Sequence, residues 1–138
     1  MARVARHVLV WEGARGTRVE VTLLEGDAMR RLNRRATGRR GLTDVLAFAL
    51  PHADGGLVGD VYLCPEAAER WLRGGGTGKG EGGRVGEELV RLAVHGTLHV
   101  LGYHHPEGPG RTRSAMWHKQ ERYVRRFLAE TGGHGCSP

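Results

Sequence analysis

Cysteine is almost missing from this chain: two in 138 residues, Cys64 and Cys136, far apart and with no CxxC partner. A disulfide framework is not expected, and a reducing compartment is the simpler expectation. Cys64 closes the apolar run VYLC and is expected to be a buried small hydrophobe; Cys136 falls in the tail TGGHGCSP. Also missing is any apolar run near the roughly 20 residues a membrane helix needs. The N-terminal MARVARHVLVWEGARG carries early arginines, but its apolar stretch VLVW is too short for a secretory signal core. A cytoplasmic protein with no membrane association is expected. Lysine is scarce as well, since 19 of the 21 basic residues are arginine. The net charge of +6 suits a polyanionic partner such as nucleic acid, although an arginine bias also follows from GC-rich coding. With 39% hydrophobic and 26% charged residues, what remains is a globular chain long enough for one core.

Periodicity supplies the elements. HVLVW (7–11) and RVEVTLL (18–24) are β-rich runs separated by the turn EGARG. DAMRRLNRRATG reads as an amphipathic helix capped by Asp27, edged by Met29 and Leu32 and closed at Gly38. DVLAFAL (44–50) is a buried-strand candidate and LVGDVYLC (57–64) a further strand, after which Pro65 opens a helix to about Leu72. EELVRLAVHGTLHVLG (87–102) is apolar around much of its circumference, as expected of a central helix ended by Gly102. TRSAMWHKQERYVRRFLAE (112–130) forms the last helix, with Met116, Gln120, Tyr123 and Phe127 as its core stripe. The expected architecture is a single mixed α/β domain over residues 1–138, a four-stranded sheet covered by helices. Residues 73–86, RGGGTGKGEGGRVG, read as a flexible Gly-rich loop, and 131–138 as a mobile tail. The GTGKG inside that loop fails as a phosphate loop: Arg73 stands where the first glycine belongs, Lys79 precedes Gly80 rather than Ser or Thr, and a helix precedes it.

Four of the eight histidines crowd into HGTLHVLGYHH, residues 95–105. His95 and His99 are four apart, so on a helix their rings lie over one another, the spacing by which paired imidazoles chelate zinc. The glycine stop at 102 lets the chain swing His104 or His105 back toward the pair. A single buried histidine is ordinarily a satisfied core residue. Several together without a metal would each demand a separate hydrogen-bond partner, which favours metal binding. Zinc held by three protein ligands keeps a position for water, the mark of a catalytic rather than a structural site. Gly96 occupies the place where zinc peptidases carry their glutamate base, which argues against peptide hydrolysis.

This segment closely resembles the signature H-G-x-L-H-L-x-G-Y-D-H of the YbeY family. LNRRATGRRGLTDVLAF is similar to the family's L-N-x-x-Y-R-G-x-D-x-P-T-D-V-L-S-F segment, and VGDVYLCPE to its L-G-D-I-x-I-C-P-E stretch. The three run in the family's order from Leu32 to His105. The resemblance implies a bacterial zinc-dependent endoribonuclease of single-stranded RNA, maturing the 3′ end of 16S ribosomal RNA and serving ribosome quality control. It also implies a four-stranded α/β fold with a cleft beside the metal, and one zinc ion on His95, His99 and His105.

Three positions depart from the pattern. His104 replaces an aspartate and offers itself as an extra ligand or an acid/base; Ala36 replaces a tyrosine; Thr37 stands where the family has an arginine. Around that position lie six arginines within residues 30–40, of which Arg34, Arg35, Arg39 and Arg40 are candidate RNA contacts. Asp60 matches a family residue and could order a ligand nitrogen or cap a strand. Trp117 and Tyr123 could stack on bases, with packing the preferred role. Two further readings stay open: a non-catalytic, zinc-stabilised RNA-binding factor for small-subunit assembly, and a zinc hydrolase of another substrate.

Overall fold

A computed structural model describes residues 1–73 and 85–132. Its elements run α1 (Ala2–Trp11), β1 (Arg18–Leu23), α2 (Gly26–Thr37), β2 (Val45–Pro51), β3 (Leu57–Leu63), α3 (Pro65–Arg73), α4 (Val85–Val100), a 3-10 turn (Gly108–Arg113), α5 (Ala115–Phe127) and a closing π turn (Leu128–Gly132). The class is mixed α/β, as the sequence suggests. Most of the expected loop over 73–86 lies outside the described residues; Arg73 ends α3, and Val85 and Gly86 open α4. Of the expected tail, 133–138, with Cys136, lies outside them as well.

The sheet among the described residues has three strands rather than four, in the order β1-β3-β2. β3 pairs parallel with β1, Val61 opposite Val21, and antiparallel with β2, Val61 opposite Ala47. The expected first strand is instead the C-terminal half of α1. Val4, Ala5 and Val8 are buried while Arg3 and Arg6 are exposed, a 3.6-residue period that begins before the β-branched run HVLVW and absorbs it. β2 is not a buried central strand either. It lies at the sheet edge, half-buried to Phe48 and exposed from Ala49 onward. β3 is the central strand, burying Val61 and Leu63 and leading to the buried Cys64.

α4 is the axis of the domain, packing on β2 and β3 with α1, α3 and α5 around it. Two glycines allow its close approach. A Cβ at Gly96 would lie 2.6 Å from Val61 Cγ1, and one at Gly59 would lie 2.5 Å from Val100 Cγ1. Val90, Ala93, Val94 and Leu98 complete its buried surface with Val4, Val8, Met116, Val124 and Phe127. The stripe expected on the last helix is buried throughout, Gln120 included. That helix starts at Ala115 rather than 112 because Ser114 caps it, accepting from the Trp117 amide at 3.1 Å.

α2 also differs in detail. Glu25 rather than Asp27 is the N-cap residue, and Asp27 pairs with Arg30 at 2.9 Å. The Gly26 amide is satisfied from another element, donating to Glu66 Oε1 of α3 at 3.1 Å. Met29 and Asn33, rather than Met29 and Leu32, are its buried side chains. Gly38 closes it at φ +77°. No helix among the described residues is long and apolar enough to cross a membrane.

The glycine contacts make a direct test possible. Gly96→Ala is expected to lower stability by about 1–3 kcal/mol, because helix and strand must separate. Gly86→Ala, whose Cβ would meet open space, should leave the urea midpoint unchanged or slightly higher.

Candidate metal centre

The sequence brings three imidazoles together through two local devices. The first is the i, i+4 spacing on α4, which sets His95 and His99 edge to face with ring centroids 4.5 Å apart. The second is the end of that helix. Gly102 takes φ +100°, its amide donates to His99 O at 2.9 Å, and the Tyr103 amide donates to Leu98 O at 3.0 Å. This paired closure is a Schellman motif, which needs a left-handed residue at its hinge. It folds the chain back so that the His105 ring lies 5.0 Å from both His95 and His99. One nitrogen from each of the three rings falls within 4.8 Å of the others, a set that could hold a metal ion.

Each ring is also held in one tautomer. His95 Nδ1 lies 2.7 Å from Gln120 Oε1, His99 Nδ1 2.9 Å from Tyr103 O, and His105 Nδ1 3.0 Å from Pro106 O. All three partners are carbonyl oxygens and can only accept, so each Nδ1 carries the proton and each Nε2 keeps a free lone pair. Gln120 cannot present its amide the other way, because its Nε2 donates to Glu121 Oε2 at 2.8 Å. Glu121 in turn takes a two-pronged ion pair from Arg91, at 2.7 and 3.0 Å, and Arg91 also reaches Glu88 at 3.0 Å and Glu87 at 3.4 Å. The donor chemistry therefore fits a divalent cation of the zinc type.

Burial works in the same direction. Desolvation, with lesser repulsion from His99, His105 and Arg111, drives the His95 pKa from 6.5 down to about 4, against the opposing hydrogen bond to Gln120. His99 is lowered too, chiefly by burial. Both rings are thus neutral near pH 7, the form that coordinates metal.

A second cluster fixes the turn. Glu12, just past α1, accepts from Tyr103 Oη at 2.6 Å, from Lys119 Nζ at 2.8 Å and from Tyr123 Oη. Burial alone would raise the Glu12 pKa, but these donors together hold it below the ordinary value. Tyr103 is therefore tied at both ends, its carbonyl orienting His99 and its hydroxyl anchored to α1.

The other expected residues lie as follows. His104 is exposed, its ring 6.5 Å from His99, and is not among the three converging donors. Asp60 sits in the middle of β3 opposite Phe48 and Glu20, so it is not a strand-entry cap; all three Nδ1 atoms are bonded elsewhere, so it orders none of them. Thr37 Oγ1 is spent on its own helix end, donating toward Asn33 O at 2.7 Å and accepting from the Arg39 amide at 3.1 Å. Arg34, Arg35, Arg39 and Arg40 are exposed and have no acidic partner among the described residues. Tyr123 is buried against Glu12, and Trp117 is half-buried beneath Arg111.

Sequence reasoning passed over Gln120 as a core residue, and over Glu12, Lys119 and Arg91 altogether. A polar residue inside an apolar stripe was the available signal for Gln120. Asp44 was overlooked too; burial raises its pKa, with Arg111 acting against that rise.

A helix-borne histidine pair with a third imidazole beyond a glycine turn, on a mixed α/β scaffold, is a donor set that could hold a metal ion. The family model described as Endoribonuclease YbeY matches residues 2–128, and the chain belongs to the YbeY family. Similar curated proteins include Endoribonuclease YbeY of Kineococcus radiotolerans, 35% identical over 85% of this chain and 68% of that protein, and Endoribonuclease YbeY of Salinispora tropica, 37% identical over 75% and 72%. The solution structure of TM1509 from Thermotoga maritima superposes with a TM-score of 0.63 at 26% identity, covering 97% of this chain and 83% of that one.

Two outcomes are expected. In the metal-free protein the unfolded chain takes up a proton on His95 near pH 6.5 but the folded one only near 4. Stability should therefore fall as pH drops through that window, and His95→Gln should flatten the urea-midpoint profile there. Gln120→Leu, which leaves His95 Nδ1 without its acceptor, should weaken divalent-metal affinity by about 10- to 100-fold in chelator competition.

Proposed function

We propose that this protein is a metal-dependent endoribonuclease of single-stranded RNA that matures the 3′ end of 16S ribosomal RNA, serves ribosome quality control and works in the cytoplasm. The observation that carries the reading is the convergence of three lone pairs, each freed because the opposite ring nitrogen donates to a carbonyl.

His95, His99 and His105 would hold one zinc ion. When bound, zinc supplies Lewis acidity, polarising a phosphoryl oxygen and bringing the pKa of water toward about 7. The protein's own contributions are separable from that. Gln120, Tyr103 and Pro106 fix the donor tautomers, burial keeps the rings of His95 and His99 neutral, and the arginines Arg34, Arg35, Arg39 and Arg40 bind phosphates of the substrate strand. Their charges are free for that purpose, since no carboxylate among the described residues neutralises them. His104, exposed beside the ligand turn, stands outside the three converging donors.

Peptide hydrolysis is disfavoured on packing grounds. The residue after the first histidine faces Val61 of β3, where even a Cβ would come to 2.6 Å. A glutamate base cannot be accommodated there without moving helix from strand.

The test is cleavage of a single-stranded fragment from the 16S rRNA 3′ end by metal-loaded protein. Wild type should cut it, and His99→Ala should be slower by about a hundredfold or more. Equal cleavage by both would reveal a contaminant and overturn the reading; tight binding without cleavage would favour the assembly-factor alternative. Arg34→Ala/Arg35→Ala should flatten the dependence of log affinity on log salt by about 0.7 for each phosphate that is no longer neutralised.

A further inference from the structure

The 3-10 turn Gly108–Arg113 joins the ligand turn to α5, and Arg111 is exposed on it. No carboxylate among the described residues forms an ion pair with its side chain. Its backbone is nevertheless fixed. Arg111 O accepts from the Ser114 amide at 3.2 Å and from Ser114 Oγ at 2.8 Å, and the same Oγ accepts from the Trp117 amide. One serine thus ties the arginine and the tryptophan together. The Arg111 guanidinium carbon lies 5.4 Å from the centroid of the Trp117 ring, a cation–π arrangement that holds the fork in place without neutralising it.

The location of this pair matters. Trp117 precedes Gln120 by three residues, so the two share a face of α5, and that face presents Gln120 Oε1 to His95 at 2.7 Å. The guanidinium therefore sits about one helical turn along the wall that orients the first imidazole. A cation poised beside a second cation site is stable when an anion bridges them, and a phosphodiester is such an anion.

Resting on the endoribonuclease reading, we propose that Arg111, shelved on Trp117, is a phosphate-binding residue of the site, taking a non-bridging oxygen of the substrate strand next to the three histidines. Arginine suits the task better than lysine. Its fork is planar, stacks on indole and binds two oxygens at once. The role differs from that of the α2 arginines, which lie on a helix tied to the rest of the chain through Gly26, Met29 and Asn33 and give affinity along the strand.

The experiment measures binding of a 2′-O-methyl single-stranded oligoribonucleotide, which resists cleavage through its own 2′-hydroxyl, to wild type, Arg111→Ala and Arg111→Lys. Zinc affinity is followed in parallel by chelator competition, and folding by thermal midpoint. Arg111→Ala should bind the oligonucleotide about tenfold or more weaker, with a shallower salt dependence, and should keep its thermal midpoint and zinc affinity. Arg111→Lys should recover the salt dependence but only part of the affinity. Wild-type affinity in Arg111→Ala would overturn the proposal while leaving the nuclease reading intact. Failure of wild type itself to bind the oligonucleotide would remove both.

Discussion

The site depends on one commitment: every Nδ1 of the three histidines is a donor to a carbonyl oxygen. A neutral imidazole can place its proton on either nitrogen, and a ring with the proton on the wrong one cannot coordinate. Gln120 Oε1, Tyr103 O and Pro106 O settle that choice before any ion arrives. Burial of His95 and His99 then disfavours the competing protonated form. Tautomer and charge state are thus both set by the fold, and both point the same lone pairs toward one another.

Two of those three carbonyls depend on distant parts of the chain. The pair Tyr103 and Glu12 spans 91 positions, and the pair Gln120 and His95 spans 25. α5 contributes no converging donor, yet it supplies Gln120, Lys119 and Tyr123, which steady two of the three rings directly or through Glu12. The Arg91 cluster is similarly indirect. Arg91 faces three carboxylates at partial burial, where desolvation offsets much of the attraction. Its clearer effect is geometric: Glu121, held in place by Arg91, prevents the Gln120 amide from turning over.

How far this was legible in the sequence follows from the range of each interaction. The i, i+4 pair and the glycine stop are local, and HGTLHVLGYHH displays both. The class of fold and the buried stripe of α5 are likewise carried by short periods. α1 was misread because the β-branched run HVLVW is a strand signal when viewed alone, while the deciding residues, Val4 and Ala5, precede it. With that strand gone the sheet among the described residues has three members. β2 shows the same limit. Its apolar run DVLAFAL suggests burial on both faces, but position at an edge is decided by pairing with β3, which no local pattern encodes. Glu12 and Arg91 carry no local signal of their partners, and only the tertiary fold brings Tyr103, Tyr123 and Lys119 to the first and Glu121 to the second.

Gly96 connects the packing of this domain to its chemistry. Helix α4 must lie close on β3 to bury Val61, Leu98 and Val100, and it does so because the residue beside His95 has no side chain. That same residue is where a zinc peptidase would carry a carboxylate base. The close packing and the peptidase arrangement therefore compete for one position, and the packing holds it. A centre built this way has three imidazole donors and no carboxylate directly after the first of them. A peptidase base at that position would need a side chain where this packing leaves room for none.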